Sequence, residues 1–319
     1  MIKNINVALI GNPNTGKTSI FNALTGLNQK VGNYPGITVE KKIGFSPLNK
    51  LAKARILDLP GTYSLNASSM DESLVVELLL NKNDPDYPDV AVVITDVENL
   101  KRNLLLFSQI KDLEIPTILV LNMSDQMSRK GIKIDVKKLK EKLNTEVILV
   151  STRKNSGVSD LKKVLADYHK LSIKPFLDTE IIDKEYFESL KLTFPNQSPY
   201  KLWLVITQDI NFTRLDRQNV SDSSAFRSLP RSQLKNLQQR ETIKRYQLIN
   251  QILKETYKKT PEDATDLRIR LDNILIHKIW GYVIFFFILL IIFQSIFQWS
   301  SLPMDIIDNG FTEIGEWAR

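Results

Sequence analysis

Residues 11–18 read G-N-P-N-T-G-K-T and directly follow an apolar run, Val7–Ile10. Two glycines around a turn that closes on Lys-Thr form the P-loop pattern, which commits the chain to a strand–loop–helix unit built around an anion. Gly11 and Gly16 let the backbone wrap a polyphosphate with its N–H groups inward, at the N-terminus of the next helix. Asn12, Pro13, Asn14, Thr15 and Ser19 complete the cradle. Lys17 is placed to reach the β/γ-phosphates and the Thr18 hydroxyl to ligate Mg²⁺. A glycine-containing turn without a ligand is the competing reading, and the strand and helix expected on either side count against it. The implied ligand is a nucleoside triphosphate.

Further segments fall in the order and spacing of a GTPase. Asp58-Leu59-Pro60-Gly61 follows a short apolar run and matches D-x-x-G, with the Asp near Mg²⁺ and the Gly N–H sensing the γ-phosphate. Between this element and the P-loop, Gly32–Glu40 (G-N-Y-P-G-I-T-V-E) predicts a mobile loop. Its Thr38 is the candidate second Mg²⁺ ligand, with Gly36 and Ile37 beside the nucleotide, closing when the γ-phosphate is present. Asn122-Met123-Ser124-Asp125 stands where N-K-x-D lies in most guanine-binding proteins. The Asp125 carboxylate can accept from both the ring N–H and the exocyclic amine of guanine, a donor pair that adenine lacks. Met123 in place of Lys predicts weaker, faster-exchanging guanine binding. Ser151-Thr152-Arg153 is a looser match to the segment whose backbone N–H meets the guanine oxygen.

The reaction these residues imply is Mg²⁺-dependent hydrolysis of GTP to GDP. Positioning and charge neutralisation carry nearly all of that chemistry. Lys17, Thr38, Gly61 and Asn14 are the candidate catalytic residues, and Thr18, Thr38 and Asp58 the candidate Mg²⁺ ligands. Thr62 stands where Ras-like proteins place a water-orienting Gln, and no Arg precedes Thr38 in its loop. Intrinsic turnover should therefore be slow unless another cation assists.

Across residues 1–170 short apolar runs alternate with helical patterns, predicting a Ras-like α/β domain with a mixed, mostly parallel six-stranded sheet flanked by helices. Strands are expected near 5–10, 40–46, 54–58, 90–95, 116–121 and 146–150, with the ligand at their carboxyl ends. From 171 to 270 glycine disappears and Lys, Gln, Leu and Asn dominate in helical patterns such as Arg231–Tyr257, predicting a small all-α domain. Ser221–Ser224 and Pro261–Asp263 read as helix starts or loops.

Ile279–Trp299 is 21 residues without a charge, about 31 Å as a helix and thus the thickness of a hydrocarbon core. Trp280, Tyr282 and Trp299 lie near its ends. Arg268, Arg270, His277 and Lys278 precede it, and Asp305, Asp308, Glu313 and Glu316 follow. One transmembrane helix within 274–302 is therefore expected, with the GTPase domain in the cytoplasm and 303–319 beginning a far-side segment. The net charge of +7 suits an anionic membrane surface as well as simple solubility. The absence of cysteine excludes disulfides, thiol catalysis and Cys–metal sites.

Taken together, G-N-P-N-T-G-K-T, V-G-N-Y-P-G-I-T-V-E, D-L-P-G-T-Y-S-L, I-T-D-V-E-N-L-K-R-N-L (Ile94–Leu104) and N-M-S-D resemble the N-terminal part of FeoB, the ferrous iron transport protein B family. The resemblance is tight over about residues 3–165, looser through Leu271, and resumes in the membrane segment and Pro303-Met304-Asp305. It implies K⁺ as an activator held beside the phosphates by Asn14 and taking the place of an arginine finger, although Asn14 also suits a plain turn. For 171–270 it implies a helical domain likened to a nucleotide-dissociation inhibitor. It further implies a bacterial inner-membrane location and Fe²⁺ as the transported ion. The implied partners are the membrane, the remaining permease helices in the same or a separate chain, and small accessory proteins of iron uptake. A homo-oligomer is compatible with this reading, and no nucleic acid is expected. A membrane-tethered regulatory GTPase acting without transport is the alternative. A structural anchor with a degenerate nucleotide site conflicts with the intact motif residues.

Overall fold

β-Branched and leucine-rich runs, bounded by turn residues, form strands wherever they recur along the first half of the chain. The computed structural model describes residues 3–27, 29–34, 39–207, 229–260, 275–298 and 301–317. Its strands are β1 (Lys3–Gly11), β2 (Gln29–Asn33), β3 (Glu40–Pro47), β4 (Ala52–Asp58), β5 (Val90–Asp96), β6 (Thr117–Asn122), β7 (Ile132–Ile134), β8 (Glu146–Leu149) and β9 (Tyr257–Lys259). Seven of them form one sheet in the order β2-β3-β4-β1-β5-β6-β8. β1 pairs in parallel with β4 and β5, β5 with β6, and β6 with β8; β3 is antiparallel to β2 and β4.

The sheet has one strand more than the six expected. Residues 29–33 add to the open edge of β3 with Gln29 opposite Gly44 and Asn33 opposite Glu40, satisfying backbone groups that an edge would leave bare. The loop expected over 32–40 is thus strand at both ends. Gly36, Ile37 and Thr38 lie outside the described residues, as do Ser221–Ser224 and Pro261–Asp263. The ribbon of β7 and β9 was also not anticipated: three-residue strands carry too little alternation to read.

Alternation along β1 sends side chains to two cores. Val7 and Leu9 face one core, with Ile20, Phe21 and Leu24 of α1 (Lys17–Thr25) and Leu161 and Leu165 of the later helix Val158–Ala166. Ala8 and Ile10 face the other, with α2 (Met70–Leu80) and α3 (Leu100–Lys111). The remaining helices are α4 (Gln126–Lys130), α5 (Val136–Leu143), α6 (Val158–Ala166), α7 (Lys184–Thr193), α8 (Pro199–Thr207), α9 (Arg231–Thr256), α10 (Trp280–Gln298) and α11 (Ser301–Trp317). Helix starts follow side-chain capping, with Ser69, Asp135 and Asp183 accepting the N–H groups of Glu72, Lys138 and Tyr186.

The helices of the second region join the α3 core through Phe187, Leu190, Trp203, Leu237 and Ile249. A buried charge cluster between α3 and α9 accompanies them. Arg245 Nη2 is 2.6 Å from Asp112 Oδ2, and its Nε donates to Glu241 Oε1 at 2.8 Å. Glu241 also accepts from Tyr200 Oη (3.0 Å) and Trp203 Nε1 (2.8 Å). The backbone falls into two compact units, one of Met1–Ser128 with Ile132–Lys259, the other of Arg129–Gly131 with Thr260–Arg319. In the second, α10 carries no charge and exposes Phe285, Phe286 and Phe287. Among the described residues no helix is long and apolar enough to cross a membrane, so the span over 274–302 rests on the sequence.

Candidate nucleotide site

Parallel pairing brings the carboxyl ends of the central strands together, and each ends in a motif. Gly11 closes β1, and Leu9 of that strand lies opposite Asp58, the last residue of β4. Asp96 ends β5 opposite Asn122, the last residue of β6.

The P-loop bends through positive φ at Asn14 (66°) and Gly16 (81°). At Gly16 a Cβ would run into the Asn122 side chain, so the tight turn requires glycine. The Asn122 amide Nδ2 donates to the Thr15 carbonyl at 2.9 Å, bolting the base-recognition motif to the phosphate loop. Within the loop Thr15 Oγ1 donates to the Asn12 carbonyl at 2.9 Å, while the buried Asn12 amide has no partner among the described residues. Asn14 and Pro13 are exposed at the tip, and Ser19 is exposed on α1.

Lys17, Thr18 and Asp58 converge. Thr18 Oγ1 donates to Asp58 Oδ2 at 3.2 Å, and Lys17 Nζ lies 3.6 Å from Oδ1. That separation is an ion pair rather than a hydrogen bond, so Oδ1 is buried without a hydrogen-bond partner among the described residues. Burial pushes the Asp58 carboxyl above its ordinary value, opposed by the charge of Lys17 and the hydrogen bond from Thr18. A carboxylate held this way is ready to accept a cation. Leu59 is buried, and its N–H donates to the Leu9 carbonyl. Gly61 stacks against Pro13, where a Cβ would be 3.1 Å from the proline ring. Thr62 N–H donates to the Gly11 carbonyl at 3.2 Å, so the D-x-x-G segment and the P-loop are held at fixed spacing.

The side chain that follows Gly61 turns away from the site. Thr62 is fully buried, its hydroxyl between the Ser64 carbonyl (2.9 Å) and Glu72 Oε1 (3.2 Å). Glu72 gathers this loop, accepting also from Tyr63 N–H, Ser68 N–H and Ser68 Oγ. Burial alone would raise its carboxyl, but these donors outweigh it and hold it below the ordinary carboxylate range. Nothing in the sequence singled out Glu72 beyond Ser69-x-x-Glu72, a helix-start pattern.

At the base-recognition end Met123 takes φ 58° and Ser124 N–H donates to the Val150 carbonyl. Ser151 Oγ donates to Asp125 Oδ1 at 2.7 Å, aiming the carboxylate. The loose Ser151 match thus has a side-chain role that the spacing did not reveal. Thr152 is half-buried and Arg153 exposed in the turn that follows. Among the described residues no group of three or more His, Cys, Asp or Glu could hold a metal ion.

The model of the family described as ferrous iron transport protein B matches residues 5–165. The Fe(2+) transporter FeoB of Leptospira biflexa is 36% identical over 99% of this chain and 47% of its own length. The chain therefore spans about half the length of the curated relatives it matches. The cytosolic domain of the T. maritima FeoB iron transporter in a GDP form superposes with a TM-score of 0.71 at 28% identity. That match covers 81% of this chain and 100% of the other. The same domain in its GMPPNP form gives a TM-score of 0.70 at 28% identity over the same shares. With its sheet order, its converging Lys17–Thr18–Asp58 group and the motifs that fall among the described residues in place, the chain belongs to the FeoB family and carries that family's N-terminal P-loop GTPase domain.

Proposed function

We propose that this chain binds GTP and hydrolyses it to GDP and phosphate as the cytoplasmic module of a ferrous iron transporter of the bacterial inner membrane. The observation that carries the enzymatic part is the convergence of Lys17 and Thr18 on Asp58, whose Oδ1 is buried without a hydrogen-bond partner among the described residues. The GDP and GMPPNP forms of the T. maritima cytosolic domain support a guanine nucleotide. Lys17 neutralises charge on the β/γ-phosphates, the backbone of Gly11–Thr18 cradles them, and Gly61 presents its N–H to the phosphoryl group that leaves. Asp125, aimed by Ser151, reads guanine.

The donor set fits Mg²⁺: an ionisable carboxylate with a free oxygen beside a hydroxyl suits a hard cation. Thr18, Asp58 and, from outside the described residues, Thr38 would hold it, and it would spread the phosphate charge. Thr62 is committed to Glu72 and Ser64 and cannot orient water, which leaves room for K⁺ held by Asn14, exposed at the P-loop tip. Ile279–Trp299 anchors the module in the membrane, where the permease helices, in the same or a separate chain, carry Fe²⁺ while hydrolysis couples to or gates uptake.

Steady-state GTP hydrolysis by the full chain in K⁺ against Na⁺, for wild type and Asn14→Ala, tests this reading. Acceleration by K⁺ of about tenfold or more, roughly 1.4 kcal/mol, that disappears in the variant supports it. Equal slow rates in both salts would remove the role of Asn14, and no hydrolysis at all would remove the GTPase.

A further inference from the structure

The stretch Ile94–Leu104 is among the family's marks, yet none of its side chains belongs to the cradle described above. Its Asp96 ties a knot at the end of β5. Oδ1 accepts the N–H groups of Glu98 (2.9 Å) and Asn99 (2.7 Å), and Asn103 Oδ1 accepts the Asp96 N–H at 3.0 Å. The first turn of α3 is fixed to the sheet by this arrangement. From that base α3 reaches the loop after Gly61 at two points. The Arg102 guanidinium carbon lies 4.2 Å from the centre of the Tyr63 ring. About two turns further along the same face, Gln109 is 1% exposed and its Oε1 accepts the Leu65 N–H at 2.8 Å.

We propose that Arg102 and Gln109 are positioning residues for GTP hydrolysis, holding Tyr63 and Leu65 so that the neighbouring Gly61 N–H keeps its place. The inference rests on the GTPase reading. Gly61 has no side chain of its own and takes its position from what flanks it. On one flank is its packing on Pro13, and on the other the Thr62 N–H held by Gly11. Beyond Thr62 the backbone meets α3 before it enters α2. Arg102 stacks on a half-exposed ring, where a planar cation–π contact is the attachment. Gln109 supplies a buried acceptor that no water can replace. Neither side chain touches the P-loop or Asp125, so each should act on the reaction step rather than on nucleotide binding.

The test uses the full 319-residue chain in detergent with GTP as substrate. Arg102→Ala and Gln109→Leu should lower kcat by roughly three- to tenfold with KM within about twofold of wild type. Gln109→Glu, which keeps an acceptor at the same point, should recover most of the loss, and Arg102→Lys, without a planar group, little. Hydrogen exchange gives a readout that needs no turnover. In Gln109→Leu the Leu65 amide should exchange about tenfold faster or more while Ile249 and Leu253 in α9 keep their protection. An unchanged kcat overturns the proposal even if Leu65 exchanges faster, as does a rise in KM with kcat constant. A Leu65 amide that stays protected overturns it as well. Should the wild type hydrolyse no GTP, the GTPase reading fails first, and exchange at Leu65 alone then decides whether α3 holds the loop.

Discussion

At the carboxyl ends of β1, β4 and β6, Asp58 keeps one oxygen without a hydrogen bond among the described residues, and atoms of Asn12 and Asn122 likewise have none. Between α3 and α9 Arg245 meets Asp112, Glu241 and Ser108, Glu241 accepts from Tyr200 and Trp203, and Arg245 Nη2 faces Asp112 Oδ2 as an ion pair at 2.6 Å. Both clusters are buried in the same compact unit. Burying a polar atom without a partner is costly, and at the strand ends the nucleotide and cation proposed above would complete these atoms. This closed charge network acts as a fastener, making the helical region part of the same core as the α/β domain. The difference lies in the charge partner: Asp58 faces Lys17 at 3.6 Å, whereas Asp112 and Glu241 are both clamped by Arg245, at 2.6 and 2.8 Å.

Substitutions should separate the two clusters cleanly. Lys17→Ala should lower GTP turnover by about 100-fold or more while costing only about 1 kcal/mol in urea unfolding, since its 3.6 Å pair with Asp58 is longer than a hydrogen bond. Arg245→Ala should do the opposite. Stripping the cation from Asp112 and Glu241 should cost about 3–5 kcal/mol in urea unfolding, and the fraction still folded should bind GDP normally. If Arg245→Ala instead abolished binding at unchanged stability, the division between the clusters would be wrong.

Glu72 sits between these extremes, a filled carboxylate next to the open site. Glu72→Gln should cost about 1–3 kcal/mol, and the cost should depend on pH. The folded-state pKa lies below the ordinary 4.5, so the stabilisation is present above 4.5 and is lost as pH falls through the folded value. Thermal melts of wild type and variant should therefore converge as pH drops from about 7 to about 3.5; a constant gap would show that the carboxylate charge is irrelevant. The smallest effect is expected for Ser151→Ala. Asp125 keeps its charge and loses only its aim, so GDP affinity by calorimetry should fall about two- to fivefold.

The open cluster was far more legible in the sequence than the closed one. P-loop, D-x-x-G and N-M-S-D are contiguous runs whose residue types follow from phosphate and guanine chemistry, so spacing alone located Lys17, Asp58 and Asp125 near one another. The six long strands were legible for a similar reason, because apolar runs bounded by turn residues have few other uses. Arg245, Glu241 and Asp112 were invisible: they look like ordinary charges on amphipathic helices, and only the docking of α9 against α3 buries them. Gln109, and the side-chain role of Ser151 toward Asp125, left no mark because a single polar side chain reaching a distant backbone or carboxylate leaves no periodic trace. β2 was hidden for another reason. Gln-Lys-Val-Gly-Asn has little strand propensity, and its pairing is set by the free edge of β3.

The ribbon of β7 and β9 sets how the chain departs from this unit. β9 ends at Lys259, opposite Ile132, and its partner β7 begins shortly after the base-recognition residue Asp125. The exit is therefore stitched sideways into the nucleotide domain, where a bare helix end would hang free. Tension applied beyond Thr260 would load the bond from Thr260 N–H to the Gly131 carbonyl (2.9 Å) first, and the Ile132–Lys259 pair next. The ribbon thus fastens the end of α9 to the segment that follows Asp125.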